Sequence, residues 1–132
     1  MVIPENYRKV LARFIEKNGN KPVVLFAVLK MDELVDKWSV LISADWINDD
    51  NNKQAFSDLI EILQDELGGD ELNEIARIVI YKRTQHLIEL MLKQFKEGQH
   101  IDEDAKVNGN VIHEGYIIAL NNTEPNQESL AL

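Results

Sequence analysis

The sequence contains no cysteine, which removes disulfides, thiolate metal sites and a cysteine nucleophile from consideration. It also lacks a long apolar run. The longest, Val23 to Leu29, falls far short of the ~18–20 residues that a membrane helix needs. The opening residues, Met-Val-Ile-Pro-Glu-Asn-Tyr-Arg-Lys, put polar groups where a signal peptide carries its apolar core, so a cytoplasmic location is expected. Basic residues are in deficit, with 14 Lys and Arg against 23 Asp and Glu for a net charge of −9. Duplex binding needs the opposite balance to displace counterions, so nucleic acid is not an expected partner. The six glycines form no Gly-x-Gly-x-x-Gly or Walker loop. Gly68-Gly69 ends a helical pattern rather than opening one, the wrong polarity for a phosphate cradle, and no cofactor is expected.

What remains is an ordinary globular composition. At 132 residues, 45% apolar and 28% charged, the chain has room for one core that folds without staples. A single domain is expected over 1–120, followed by a loose tail over 121–132 that has no apolar periodicity.

Tyr7, Val10, Leu11, Phe14 and Ile15 recur at helical spacing, with Pro4 in the first turn and Gly19 past the end. Val23 to Leu29 is continuous, branched and aromatic, which predicts a strand covered on both faces. A polar connection over 31–37, holding at most one helical turn, leads to a second strand from Trp38 to Ala44. The short link favours an antiparallel pair. After a loop of Asp and Asn, Phe56, Leu59, Ile60, Leu63 and Leu67 mark a second helix, with Asn51 and Gln54 spaced as a capping box. Asp70 to Asn73 adds a turn, and Ile75 to Tyr81 predicts a third buried strand. Thr84 is placed to cap a helix whose arc of Leu87, Ile88, Leu90, Met91, Leu92 and Phe95 is wide enough for core or for a dimer seam. Asn108-Gly109 predicts a type I′ hairpin into a last strand ending near Leu120. The order α-β-β-α-β-α-β-β gives an α/β (α+β) fold with a mixed sheet of four to five strands covered by helices.

Two surfaces are candidates for function. If the second and third strands are parallel neighbours, their carboxyl ends form the crevice in which open α/β sheets bind ligands. Ser43, Asp45, Trp46, Lys82, Arg83 and His86 would meet there and suit a small anionic molecule. The second is the acidic face Asp58, Glu61 and Asp65, where like charges at i, i+3 and i+7 weaken the helix unless a basic partner compensates. No complete catalytic set accompanies either. Metal-dependent nucleases follow an Asp after one strand with Glu-x-Lys on the next, but the stretch here is Ile80-Tyr81-Lys82. His86, His100 and His113 lack the i, i+4 spacing of a zinc pair, and no metal site is expected.

The run Lys37-Trp38-Ser39-Val40-Leu41-Ile42-Ser43-Ala44-Asp45-Trp46 resembles a segment in a family of small uncharacterised bacterial proteins. There a Lys-Trp-Asp-Leu-Val-Val-Ser-Ala-Pro-Trp string precedes a helix, an Arg-Ile-Val-Ile strand follows, and an Asn-Gly turn enters the last strand. Arg77 to Ile80 and Asn108-Gly109 are similar to that plan. The resemblance implies one domain and no known activity, and it speaks against a catalytic Asp45, since the family pattern has Pro there. The expectation is therefore a small, acidic, non-catalytic protein–protein interaction domain, antitoxin-like or immunity-like, binding a basic protein. The alternative is an anionic-ligand-binding or enzymatic domain built on the crevice. A homodimer through the Leu87–Phe95 helix or the last hairpin fits either.

Overall fold

The computed structural model describes residues 3–31 and 37–121. Four helices and six strands follow in the order α1 (Ile3–Lys17), β1 (Leu25–Met31), β2 (Trp38–Ser43), α2 (Asn52–Glu66), α3 (Gly69–Asn73), β3 (Ile75–Tyr81), α4 (His86–Gln94), β4 (His100–Ile101), β5 (Ala105–Val107) and β6 (Asn110–Leu120). The strands form one mixed sheet in the order β3-β2-β1-β6-β4, with β5 also on β6. The α/β class and the mixed sheet are as the patterning predicts. The sixth strand is the two-residue β4, too short to leave a periodic trace. The connection expected over 31–37 and the tail over 121–132 lie outside the described residues, apart from Met31, Lys37 and Asn121. Among the described residues no helix is long and apolar enough to cross a membrane.

β1 is apolar but for Lys30 because it lies between β2 and β6 with helices on both faces. Phe26 and Val28 face one core with Trp38, Val40 and Ile42 of β2, packed against Tyr7, Val10 and Phe14 of α1 and Leu59, Ile62 and Leu63 of α2. Leu25, Ala27, Leu29 and Met31 face the other, against Leu87, Ile88, Met91 and Leu92 of α4. The wide arc of α4 is thus spent on the core, which leaves it no apolar face for a dimer seam.

Local signals hold in part. α1 stops at Gly19 and Asn20, both at positive φ (74° and 60°). Asn108 and Gly109 take φ of 51° and 78°, as the hairpin between β5 and β6 requires. The two expected caps do not form. Asn51 precedes α2 without a side-chain cap, because its amide instead donates to the Trp46 carbonyl at 2.9 Å and its Oδ1 accepts from Asn48 N–H at 2.7 Å. Gln85, not Thr84, precedes α4, and its side-chain oxygen accepts from the Lys82 amide at 2.7 Å.

The buried stripe of α2 is rotated from the expected one. It consists of Ala55, Asp58, Leu59, Ile62 and Leu63, whereas Phe56 is the only exposed large apolar side chain among the described residues, at 37%. The helix turns toward α1, and that rotation carries Phe56 out beside β3.

Candidate functional site

β2 and β3 are parallel neighbours in the register Ser39↔Arg77 to Ser43↔Tyr81, so their carboxyl ends do lie side by side. The side chains there are occupied with one another. Arg83 forks onto Asp45, with Nε to Oδ1 at 3.0 Å and a terminal nitrogen to Oδ2 at 2.9 Å. Such a bidentate pair satisfies both oxygens of the carboxylate. Lys82 turns to Asp49 at 3.6 Å and His86 to Glu89 at 3.9 Å. Trp46 leaves the crevice altogether: its ring packs on Phe14 at 5.7 Å between centroids and its indole N–H donates to the Pro22 carbonyl at 3.1 Å. The topology brings the six residues to one end of the sheet, but the geometry gives all of them except Ser43 neighbours within the chain.

Ser43 is fully buried on the α4 side of β2, and among the described residues its hydroxyl meets no hydrogen-bond partner. A buried hydroxyl without a partner costs free energy that a methyl group does not. Ser43→Ala should therefore leave thermal stability unchanged or raise it by up to about 1 kcal/mol. A loss of that size on thermal denaturation would instead mean that the hydroxyl is engaged, and would restore the crevice as a polar site.

The acidic face of α2 also has its counter-ions at hand. Lys17 of α1 lies 3.4 Å from Asp58 and 3.7 Å from Glu61, and Arg13 contacts Asp65 at 3.2 Å and Glu66 at 3.0 Å. The guanidinium of Arg13 is held above its usual pKa, chiefly by its hydrogen bonds to Glu66 and Asp65. Asp58, expected on the solvated face, is buried at 5% exposure and also accepts from Gln54 at 2.8 Å. The basic partner that offsets the row of carboxylates is α1. Because the outer pairs are exposed, solvent screens them and they add little to stability.

Two surfaces stand out that the sequence reading did not single out. On the α4 side, a groove of about 310 Å³ runs between β3 and the β5–β6 hairpin, lined by Tyr81, Gln85, His86 and Asn110. Its floor holds Arg77, which donates to Ser39 Oγ at 3.1 Å and to Met31 Sδ at 3.6 Å. The second surface is the outer edge of β3. This strand pairs only with β2, and among the described residues no strand lies beyond it. Its sequence Ile-Ala-Arg-Ile-Val-Ile-Tyr has the composition of a strand covered on both faces, yet every residue is half-buried except Ala76, which is exposed. Beside it, Phe56, Ile80, Lys53 and Asn52 line an apolar cleft of about 300 Å³.

The histidines serve structure. His113 contacts Asp104 at 2.9 Å, and His100 stacks flat on Tyr116 with centroids 4.5 Å apart. No group of three His, Asp or Glu side chains among the described residues is arranged to hold a metal ion. Compared with known proteins, the chain matches no family model, and no curated protein or solved structure is significantly similar to it.

Proposed function

We propose that this chain is a non-catalytic protein–protein interaction domain that takes its partner along the outer edge of β3. The observation that carries the reading is the mismatch between a seven-residue strand of buried-type composition and its place at the end of the sheet. Edge strands are blunted by charged side chains, above all Lys, by Pro, by short length or by a bulge. β3 has no Lys or Pro and is seven residues long, and its one charge, Arg77, is turned onto Ser39 and Met31. The strand's one irregularity is Ala76, which the register with β2 skips. Unpaired N–H and C=O groups flanked by Phe56 and Ile80 match the requirements of strand addition, in which the backbone supplies affinity and adjoining apolar clefts supply selectivity.

This reading keeps the class expected from the sequence and moves the contact away from Asp58, Glu61 and Asp65, whose charges α1 already offsets. The crevice alternative is less well supported, since Asp45, Lys82 and Arg83 each have an oppositely charged neighbour within 4 Å and His86 lies 3.9 Å from Glu89.

The test is affinity capture from host lysate, spiked with a differently tagged copy of the chain and read by mass spectrometry. Ala76→Lys places a charge on an exposed position of the edge without removing packing, so folding stability should stay within about 0.5 kcal/mol. Captured polypeptide should fall at least tenfold with Ala76→Lys and persist in Glu61→Lys/Asp65→Lys. Loss in the α2 double variant alone would overturn the edge assignment, and recovery of bait alone would overturn the interaction reading.

A further inference from the structure

We infer that the polypeptide seated on β3 is a second copy of this chain, paired antiparallel across a twofold axis so that the two sheets become one. The inference rests on the edge reading above and adds the identity of the partner.

The argument is self-complementarity. A twofold axis at Ile78, the midpoint of Ile75–Tyr81, sets Ile78 opposite Ile78 of the second copy and Arg77 opposite Val79 of the second copy. Arg77 is the only charged residue in the strand, so no like charges face each other directly, the arrangement that most destabilises a cross-strand pair. Ala76, small and exposed, falls opposite Ile80 of the second copy, next to the cleft lined by Phe56. Just beyond the strand, Glu74 comes within side-chain reach of Lys82 of the second copy, and symmetry repeats that pair at the other end. The irregularity at Ala76 shifts the alignment there by one residue, a displacement that two long side chains span. Lys82 is free to swing: its contact to Asp49 is 3.6 Å long, with side chains 66% and 85% exposed.

A parallel arrangement would break this match, because it sets Lys82 beside Lys82 and Glu74 beside Glu74. A twofold interface is isologous and closes on itself, so pairing through β3 consumes both free edges and yields a dimer rather than a fibre. The single-strand contact predicts a reversible, weak complex.

Sedimentation equilibrium of the purified chain tests this with a charge swap. The wild type should show a monomer–dimer equilibrium at micromolar concentrations. Glu74→Lys alone and Lys82→Glu alone should each weaken it roughly tenfold or more, because two attractive pairs become two repulsive ones. Glu74→Lys/Lys82→Glu should restore it to near the wild-type value. Melting temperatures of all four proteins confirm that the singles remain folded. A wild type that stays monomeric, or a dimer that ignores the swap, overturns the inference. A monomer whose capture of another protein is still lost in Ala76→Lys defeats the second copy while the edge reading stands. A dimer insensitive to Ala76→Lys defeats both.

Discussion

Replacing Gly115 by valine is expected to abolish cooperative folding, and replacing it by alanine to lower the melting temperature by about 5–15 °C. Gly115 is buried in β6 and pairs with Leu29 of β1 on one side and Ile101 of β4 on the other. A Cβ built there lies 2.5 Å from Leu29 Cδ2, 3.2 Å from the Val28 carbonyl oxygen and 3.5 Å from Ile101 Cδ1. Leu29 is wholly buried, so its methyl has no empty space to enter, and the carbonyl belongs to the central strand. Overpacking of this kind costs roughly 1–3 kcal/mol for one added carbon. Valine adds two more against the same neighbours, a large part of the ~5–15 kcal/mol that holds a domain folded. The glycine is needed for room, not for backbone freedom, since its φ is not positive. Circular dichroism during heating measures both variants. A valine variant that unfolds cooperatively near the wild-type temperature would show that β1 and β6 are more loosely packed than described.

The second large effect appears in alkali. Tyr7 is 2% exposed on the inner face of α1, packed near Phe26, and its phenol is pushed well above the usual value of 10.0, first by burial and then by Glu71 and Glu74. A group whose folded pKa is raised stabilises the fold fully below its unfolded pKa and loses that contribution as pH climbs toward the folded value. Stability should therefore hold to about pH 10 and then fall by up to ~1.4 kcal/mol per pH unit from this residue alone. Lysines and the other tyrosines titrate in the same range, so the measurement is a comparison: urea unfolding of wild type and Tyr7→Phe from pH 8 to 11.5. The phenylalanine variant should lose stability less steeply above pH 10. Parallel profiles would mean that Tyr7 ionises without resistance and that α1 is not packed tightly against the sheet.

The fold was largely legible because its central pieces carry unambiguous local patterns. Val23 to Leu29 reads as a covered strand because most of it is one: the strand runs Leu25–Met31, and Val24 just ahead of it already bonds through its backbone to Ser43 and Asn121. Asn108-Gly109 names its own turn. Position in the sheet is another matter. β3 carries the same apolar signature as β1, yet one is at the rim and the other at the centre, and nothing in a seven-residue window distinguishes a strand awaiting cover from one already covered. α2 shows the same limit. Its apolar residues span more than one face, and which face turns inward depends on where α1 sits, so the periodicity favoured Phe56 where the packing chose Ala55 and Ile62.

The candidate site divides in the same way. Topology correctly brings Asp45 and Arg83 to one end of the sheet, because parallel strands joined by a helix force that meeting. Whether such residues bind a ligand or each other depends on ångström-scale geometry that spacing does not encode, as the bidentate pair shows. The row Asp58, Glu61 and Asp65 was legible as a charge problem needing a cation. That the cations would be Arg13 and Lys17 is a tertiary fact, hidden by the long stretch of chain between the two helices.

The place of β1 bears on how the molecule comes into being on the ribosome. Its two neighbours arrive at very different times: β2 follows almost at once, whereas the other flank is closed only by β6, with Leu25 opposite Leu120. Until β6 emerges, the most apolar segment of the chain has one naked side, and closing it joins strands far apart in the sequence, at a high loop-closure cost. The nascent chain is thus exposed to misassembly from the time β1 emerges until β6 has been made. A premature stop anywhere before Asn110 would leave a product with its core strand open, fit for the quality-control proteases rather than for any partner.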